Sequence, residues 1–419
     1  MRPDLCIIGS DPVGIEIAFA AAGLGVPCLL VTQTDAIDPA SRPALQRLRA
    51  LGCGIIEGTG AFADKDRFIF GECSIRARRF VLATGATSRR PAIIGIDLPP
   101  LWDARAETRD AGTQQHVLVL GAGPLGLARA TVAHRSGCRV TILAEAEMLP
   151  GFDAEAIGIL RPEFARRGIT LREHVDLTTG TIHADAGSFT LTFTEGPGPI
   201  TFTHIVLDCG LVAALDGLDL DKAGLRLEDG RPVLSPALRS TNRRIYVAGD
   251  ATGIAASLSH GKQHAGTILS EVLFRKSAPI DPALQTRLAL TSPAIAEIGL
   301  RESGIGPGQR GRYRFYRVSF AETGDHHALK KGPSGQIKVI ATRKGQICGV
   351  SILGEDAAEL IVPFTLAIAK GIGLQTLATL PIARPCHAEA IAAVARQAVI
   401  GQLRSPGSLR LIRFLRIFG

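Results

Sequence analysis

The hydrophobic pattern of the chain repeats once. DLCIIGSDPVGIEIAFAAAGLGVPCLLV, from Asp4, and HVLVLGAGPLGLARATVAHRSGCRVTILA, from His116, share one order: apolar run, glycine turn, small-residue stretch, second apolar run. Apolar runs without alternation predict strands buried on both faces, so each segment is expected to be a βαβ unit with parallel strands. EGPGPITFTHIVLDCG predicts the strand that returns from the second unit, and YRFYR, from Tyr313, alternates as a two-faced strand does. The C-terminal GSLRLIRFLRIFG has a helical period. Arg410, Arg413 and Arg416 share one arc, with Leu411, Ile412, Phe414, Leu415 and Phe418 opposite.

The glycine turns carry the first chemistry. In the second unit Gly121, Gly123 and Gly126 complete GxGxxG between a strand and a helix, a backbone that turns tightly, approaches a pyrophosphate and offers it a helix N-terminus. In the first unit the pattern is Gly9, Asp11, Gly14, so a carboxylate replaces the middle glycine and its charge opposes a phosphate. Thr32 and Ala144 stand where an acid normally holds the adenosine ribose, and neither is acidic. Asp35 and Glu145 lie close by; Glu145 at the ribose would repel a 2′-phosphate and favour NAD over NADP.

Composition narrows the picture. At 419 residues two to four domains are expected. The 47 Gly residues and an apolar content of 46% favour an α/β fold. A net charge of +8 without dense basic runs, and 5% aromatics, argue against a nucleic-acid partner. The cysteines at 6, 28, 53, 73, 138, 209, 348 and 386 show no CxxC or metal-ligand spacing, so reduced thiols, no metal and a cytoplasmic location are expected. His260 and His264 stand four apart with no third ligand, and Cys386 and His387, as sequence neighbours, are not expected to face each other. No secretory signal and no apolar run of membrane-spanning length is visible. The tail leaves two alternatives: a helix lying on an anionic membrane at its inner face through residues 407–419, or one docked on this chain or its dimer mate.

Longer motifs now place the chain. ARRFVLATGATSRRP around Thr84, Gly85 and Ala86, STNRRIYVAGDATG with Gly249 and Asp250, SLSHGKQHAG, TSPAIAEIGL and GQIKVIATRKGQICGVSILGEDAAELI resemble, in order, motifs of the flavoprotein disulfide reductases. The likeness is to the class I pyridine nucleotide-disulfide oxidoreductases, in the dihydrolipoamide dehydrogenase and mercuric reductase branch. It implies two Rossmann-like nucleotide-binding domains plus a C-terminal α+β dimerisation domain. The FAD-binding domain would take 1–112 and 236–280, the NAD(P)-binding domain 113–235 and the dimerisation domain 281–419, in a homodimer. FAD would be held by Gly9, Gly14, Thr84, Gly85, Gly249 and Asp250, and NAD(H) by Gly121, Gly123, Gly126 and Glu145.

The departures shape the expected function. The segment LLVTQTDAIDPASRPALQRLRALGCGIIEGTG passes from strand to short helix without the family's redox-active CxxxxC helix. Ala128 stands at the family's glutamate, and in PIARPCHAEAI Arg384 takes the place of the catalytic histidine while Glu389 matches its glutamate. The resemblance therefore implies an FAD-dependent NAD(P)H oxidoreductase that hands electrons from flavin directly to a small-molecule or quinone acceptor. Lipoamide dehydrogenase activity is not expected, and no catalytic residue is assigned. The alternative is a non-catalytic nucleotide-binding or regulatory relative.

Overall fold

The computed structural model describes residues 1–32, 42–100, 115–253, 258–323, 335–403 and 406–417. The chain is α/β and divides into two compact units, Met1–Arg89 with Gly210–Asp281, and Arg90–Cys209 with Pro282–Gly419.

The first unit is built on a five-stranded parallel sheet. Its centre is β1 (Leu5–Ile8), flanked by β2 (Cys28–Thr32), then β3 (Gly54–Glu57), and on the other side by Arg79–Leu82, then Ile245–Val247. Helix α1 (Pro12–Gly23) joins β1 to β2, as the apolar pattern requires, and α2 (Arg42–Ala50) leads into β3. Val13, Ile17, Ala18 and Ala21 of α1 pack with Ala265, Ile268 and Leu269 of the helix Leu258–Phe274 over one face. Phe62, Phe68 and Phe80 cover the other.

The second unit holds a four-stranded parallel sheet in the order Thr170–Arg172, Arg139–Leu143, His116–Leu120, His204–Leu207. Helix α3 (Pro124–Arg135) follows its central strand. A five-stranded antiparallel sheet, Arg287–Ala289, Ala294–Gly299, Ile347–Gly354, Gln336–Thr342 and Tyr313–Ser319 in spatial order, carries the helices Ala357–Lys370 and Glu389–Leu403 on its core. YRFYR is the edge strand of that sheet.

The two compact units group some stretches apart from the linear order of the motifs. Residues 210–235, expected in the second nucleotide domain, belong to the first unit. Leu211–Ala213 pairs antiparallel with Ala86–Ser88, and Leu215, Leu218, Leu220, Ala223 and Leu225 are buried with Phe80 and Ile245. In the other direction Ile93 and Ile96, expected in the first domain, are buried with Leu118 and Ile205 of the second unit. Residues 282–419 have a core of their own within the second unit, and Ala289, Ile295 and Leu353 pack also with Val117 and Val140. In each case an apolar set goes to the sheet face that covers it, which a linear pattern does not specify.

Candidate functional site

The two glycine loops lie at the C-terminal ends of their parallel strands, where α/β sheets bind ligands. In the first, Ile8 is in register with Leu82, which sets Gly9 beside Ala83. Gly9 has φ +105°, and a Cβ there would collide with the Ala83 carbonyl oxygen, so only glycine makes the turn. Asp11 caps α1, its Oδ1 accepting from the Gly14 N–H at 2.7 Å. A Cβ on Gly249 would run into the other oxygen of the same carboxylate, so Asp11 also abuts the turn Gly249–Thr252. The Gly249 N–H donates to Nδ1 of the buried His264 at 3.0 Å, which gives that histidine a structural task. Gly85 has φ +73°, and beside it the Thr84 hydroxyl is buried with no hydrogen-bond partner among the described residues. Thr32 is buried, and its hydroxyl pairs with that of Ser10 at 2.5 Å. Asp35 lies outside the described residues.

The second loop repeats this backbone. Leu120 is in register with Leu207, which sets Gly121 beside Asp208. Gly121 has φ +101°, and its Cβ would collide with the Asp208 carbonyl oxygen. Gly123 is the N-cap of α3 and supplies no side-chain cap. That place is filled from a distant part of the chain: Asp208 Oδ2 accepts from the Gly126 N–H at 2.6 Å, and a Cβ on Gly123 would lie 2.6 Å from the same oxygen. Burial pushes the Asp208 carboxyl up to about 6, against the pull of hydrogen bonds from the Gly126 and Gly123 N–H groups. Ala144 is buried, and Glu145 after it is exposed.

The loops thus share one feature reached by different routes. FVLATG (80–85) and IVLDCG (205–210) run equivalently beside the two glycine strands, with Ala83 and Asp208 in matching places. The first loop takes its carboxylate from within the motif, at Asp11; the second takes it from the neighbouring strand, at Asp208. Both carboxylates sit on the N–H of the third glycine. The sequence reading treats the second loop as open and misses Asp208. The signal was the aspartate in VLDCG where the parallel VLATG has alanine.

The departures are equally concrete. Arg384 pairs with Glu389 at 3.2 Å. Cys386 donates to the Ala383 carbonyl, whereas His387 stacks on Phe320 and bonds Asp356 through Nδ1 at 2.7 Å, so the neighbours engage different partners. All eight cysteines are free thiols. Cys28, at the start of β2, and Cys53, just before β3, lie at the strand ends opposite the glycine loop, where the Cys53 thiol donates to the Gly54 carbonyl at 3.4 Å. The helix Pro406–Leu415 exposes Leu411, Ile412, Phe414 and Leu415 as well as Arg410 and Arg413; Phe418 lies outside the described residues. No described helix is long and apolar enough to cross a membrane.

Comparison with known proteins gives two family matches: the pyridine nucleotide-disulphide oxidoreductase model over residues 46–267, and the dimerisation domain of the same family over 286–395. The first begins beyond the Gly9–Gly14 loop. Among curated proteins, the mercuric reductase of Streptomyces lividans is 26% identical over 334 residues, 78% of this chain and 70% of that one. The dihydrolipoyl dehydrogenase of Haloferax volcanii is 25% identical over 371 residues, 84% and 76% of the two chains. Among solved structures, the HOCl-induced flavoprotein disulfide reductase RclA from Escherichia coli superposes with a TM-score of 0.81 at 18% identity, over 94% of this chain and 99% of the other. LpdA from Mycobacterium tuberculosis gives 0.80 at 20% identity, over 95% and 99%.

Proposed function

Because the chain belongs to the pyridine nucleotide-disulphide oxidoreductase family, we propose that it is a cytoplasmic FAD-dependent NAD(P)H oxidoreductase that passes electrons to its acceptor without a CxxxxC relay. Proteins of this family use FAD and NAD(P)H, and the dimerisation domain supports a homodimer. The observation that carries the flavin assignment is the Thr84 hydroxyl, a buried group with no partner among the described residues, at the end of a strand whose neighbouring turn admits only glycine. A buried hydroxyl left unpaired costs about 1–3 kcal/mol, and a bound polar ligand would remove that cost. Gly9, Gly14, Thr84, Gly85, Gly249 and Asp250 would hold FAD, which when bound supplies the two-electron acceptor for hydride. Gly121, Gly123, Gly126 and Glu145 would position the nicotinamide dinucleotide. The pairing of Arg384 with Glu389 supports a chemistry in which no thiol is deprotonated by a C-terminal histidine.

The test is the absorption spectrum of the purified protein, followed by anaerobic reduction with NADH. A flavin band bleached by NADH and reoxidised by a quinone or dye, unchanged when all eight cysteines are serine, is expected. Loss of acceptor turnover on replacing one cysteine would show a thiol relay. A protein that cannot be loaded with flavin would instead favour a non-catalytic, nucleotide-binding or regulatory role, the reading to which the two loop carboxylates lend weight. The exposed arginines and apolar residues of the C-terminal helix support a small-molecule or quinone acceptor met at an anionic membrane surface.

A further inference from the structure

The carboxylate of Asp208 and the pyrophosphate of a dinucleotide ask for the same thing. Each is an anion seeking the N–H groups at the N-terminus of α3, and each needs the space that a glycine at 123 leaves clear. Asp208 already has both: it accepts from the Gly126 N–H at 2.6 Å, and it lies within 2.6 Å of the point where a Gly123 side chain would begin. A phosphate cannot share that space with an ionised carboxylate.

The first unit shows that this strand position does not require an acid, its own cap carboxylate coming instead from Asp11 within the loop. Ala83 occupies the matching place, the Ala83 and Asp208 N–H groups donate to Ile8 and Leu120 alike at 2.7 Å, and the glycine turn forms beside alanine as it does beside aspartate. The Asp208 side chain is therefore an addition to a backbone that closes without it. We propose that Asp208 is a built-in competitor for the dinucleotide pyrophosphate, which gains the second loop only by displacing this carboxylate from the Gly126 N–H. The inference rests on the reading of that loop as the NAD(P)H site and makes Asp208 the residue that sets its affinity.

The experiment measures dissociation constants of NADH, NADPH and ADP-ribose for the full-length protein and for Asp208→Ala, Asp208→Asn and Gly123→Leu, with thermal melts in parallel. Removing a charged hydrogen-bonding competitor should tighten dinucleotide binding roughly ten- to hundredfold in Asp208→Ala, with Asp208→Asn between it and the wild type. Gly123→Leu should weaken all three ligands. If Asp208 is only a cap for α3, Asp208→Ala melts lower and binds NADH no more tightly, which overturns the proposal. The two readings fail differently. Flavin that NADH reduces with equal affinity in wild type and Asp208→Ala refutes the competitor while the oxidoreductase stands; no dinucleotide binding in any variant refutes both.

Discussion

In the proposed reading, Asp11 and Asp208 are the two carboxylates that a bound dinucleotide would meet, one in each glycine loop. Asp11 caps α1 through the Gly14 N–H, and glycine is nearly as good a cap as aspartate, costing only a few tenths of a kcal/mol. Asp11→Gly should therefore melt close to the wild type while binding FAD roughly tenfold more tightly, because the phosphate no longer meets a carboxylate. Equal or weaker flavin affinity in a titration of the flavin-stripped protein would refute a damaged loop. For Asp208 the consequence is a pH dependence. Its folded-state value near 6 lies above the ordinary 3.8, so the folded form pays to ionise it and the unfolded chain does not. Wild type should gain stability over Asp208→Asn as the pH falls from above 6 towards 4, by up to about 3 kcal/mol, and lose that advantage again as the pH rises. Denaturant midpoints at pH 4.5 and 7.5 measure it; a constant difference would place the carboxyl in water. Glycines at 9 and 121 were legible in the sequence because a turn against a neighbouring carbonyl leaves one residue type possible. Asp208 was not, since it is brought to Gly126 from 82 residues away by the register of two parallel strands.

Among elements, strand–turn–helix units could be read from apolar runs because a strand covered on both faces has no other pattern to show. What covers each face could not. Leu215, Leu218 and Leu220 read as a continuation of the second nucleotide unit, yet they seal the first unit's sheet. The C-terminal helix leaves apolar residues uncovered: Leu411, Phe414 and Leu415 are each more than half exposed. With Arg410, Arg413 and Arg416 alongside, each worth about 1 kcal/mol near anionic lipid, the proposed membrane contact would run through this helix. Full-length protein should sediment with phosphatidylserine-containing vesicles at low salt, and a chain ending at Pro406 should stay in the supernatant with its dimer and melting temperature unchanged. Loss of the dimer on truncation would make the helix an interface element between protomers instead.

At the scale of the whole molecule, the family's order of nucleotide unit, second nucleotide unit and dimerisation domain could be read from its motifs, whereas which stretches share a compact unit could not. The first unit is assembled from two distant stretches, Met1–Arg89 and Gly210–Asp281, with the second nucleotide sheet encoded between them. On a ribosome this imposes an order. The second sheet has all four strands once His204–Leu207 has been made, but the first sheet waits for Ile245–Val247 to pair with Arg79–Leu82, and for Leu215–Leu225 to cover Phe80. Until then the strand Arg79–Leu82 presents an unpaired edge through the synthesis of more than a hundred and fifty further residues, and open strand edges are where chains mispair and aggregate. The Gly9–Gly14 loop, made before the rest of its unit, is among the last parts of that unit to be walled in, so FAD held there as proposed would have to wait until most of the unit exists.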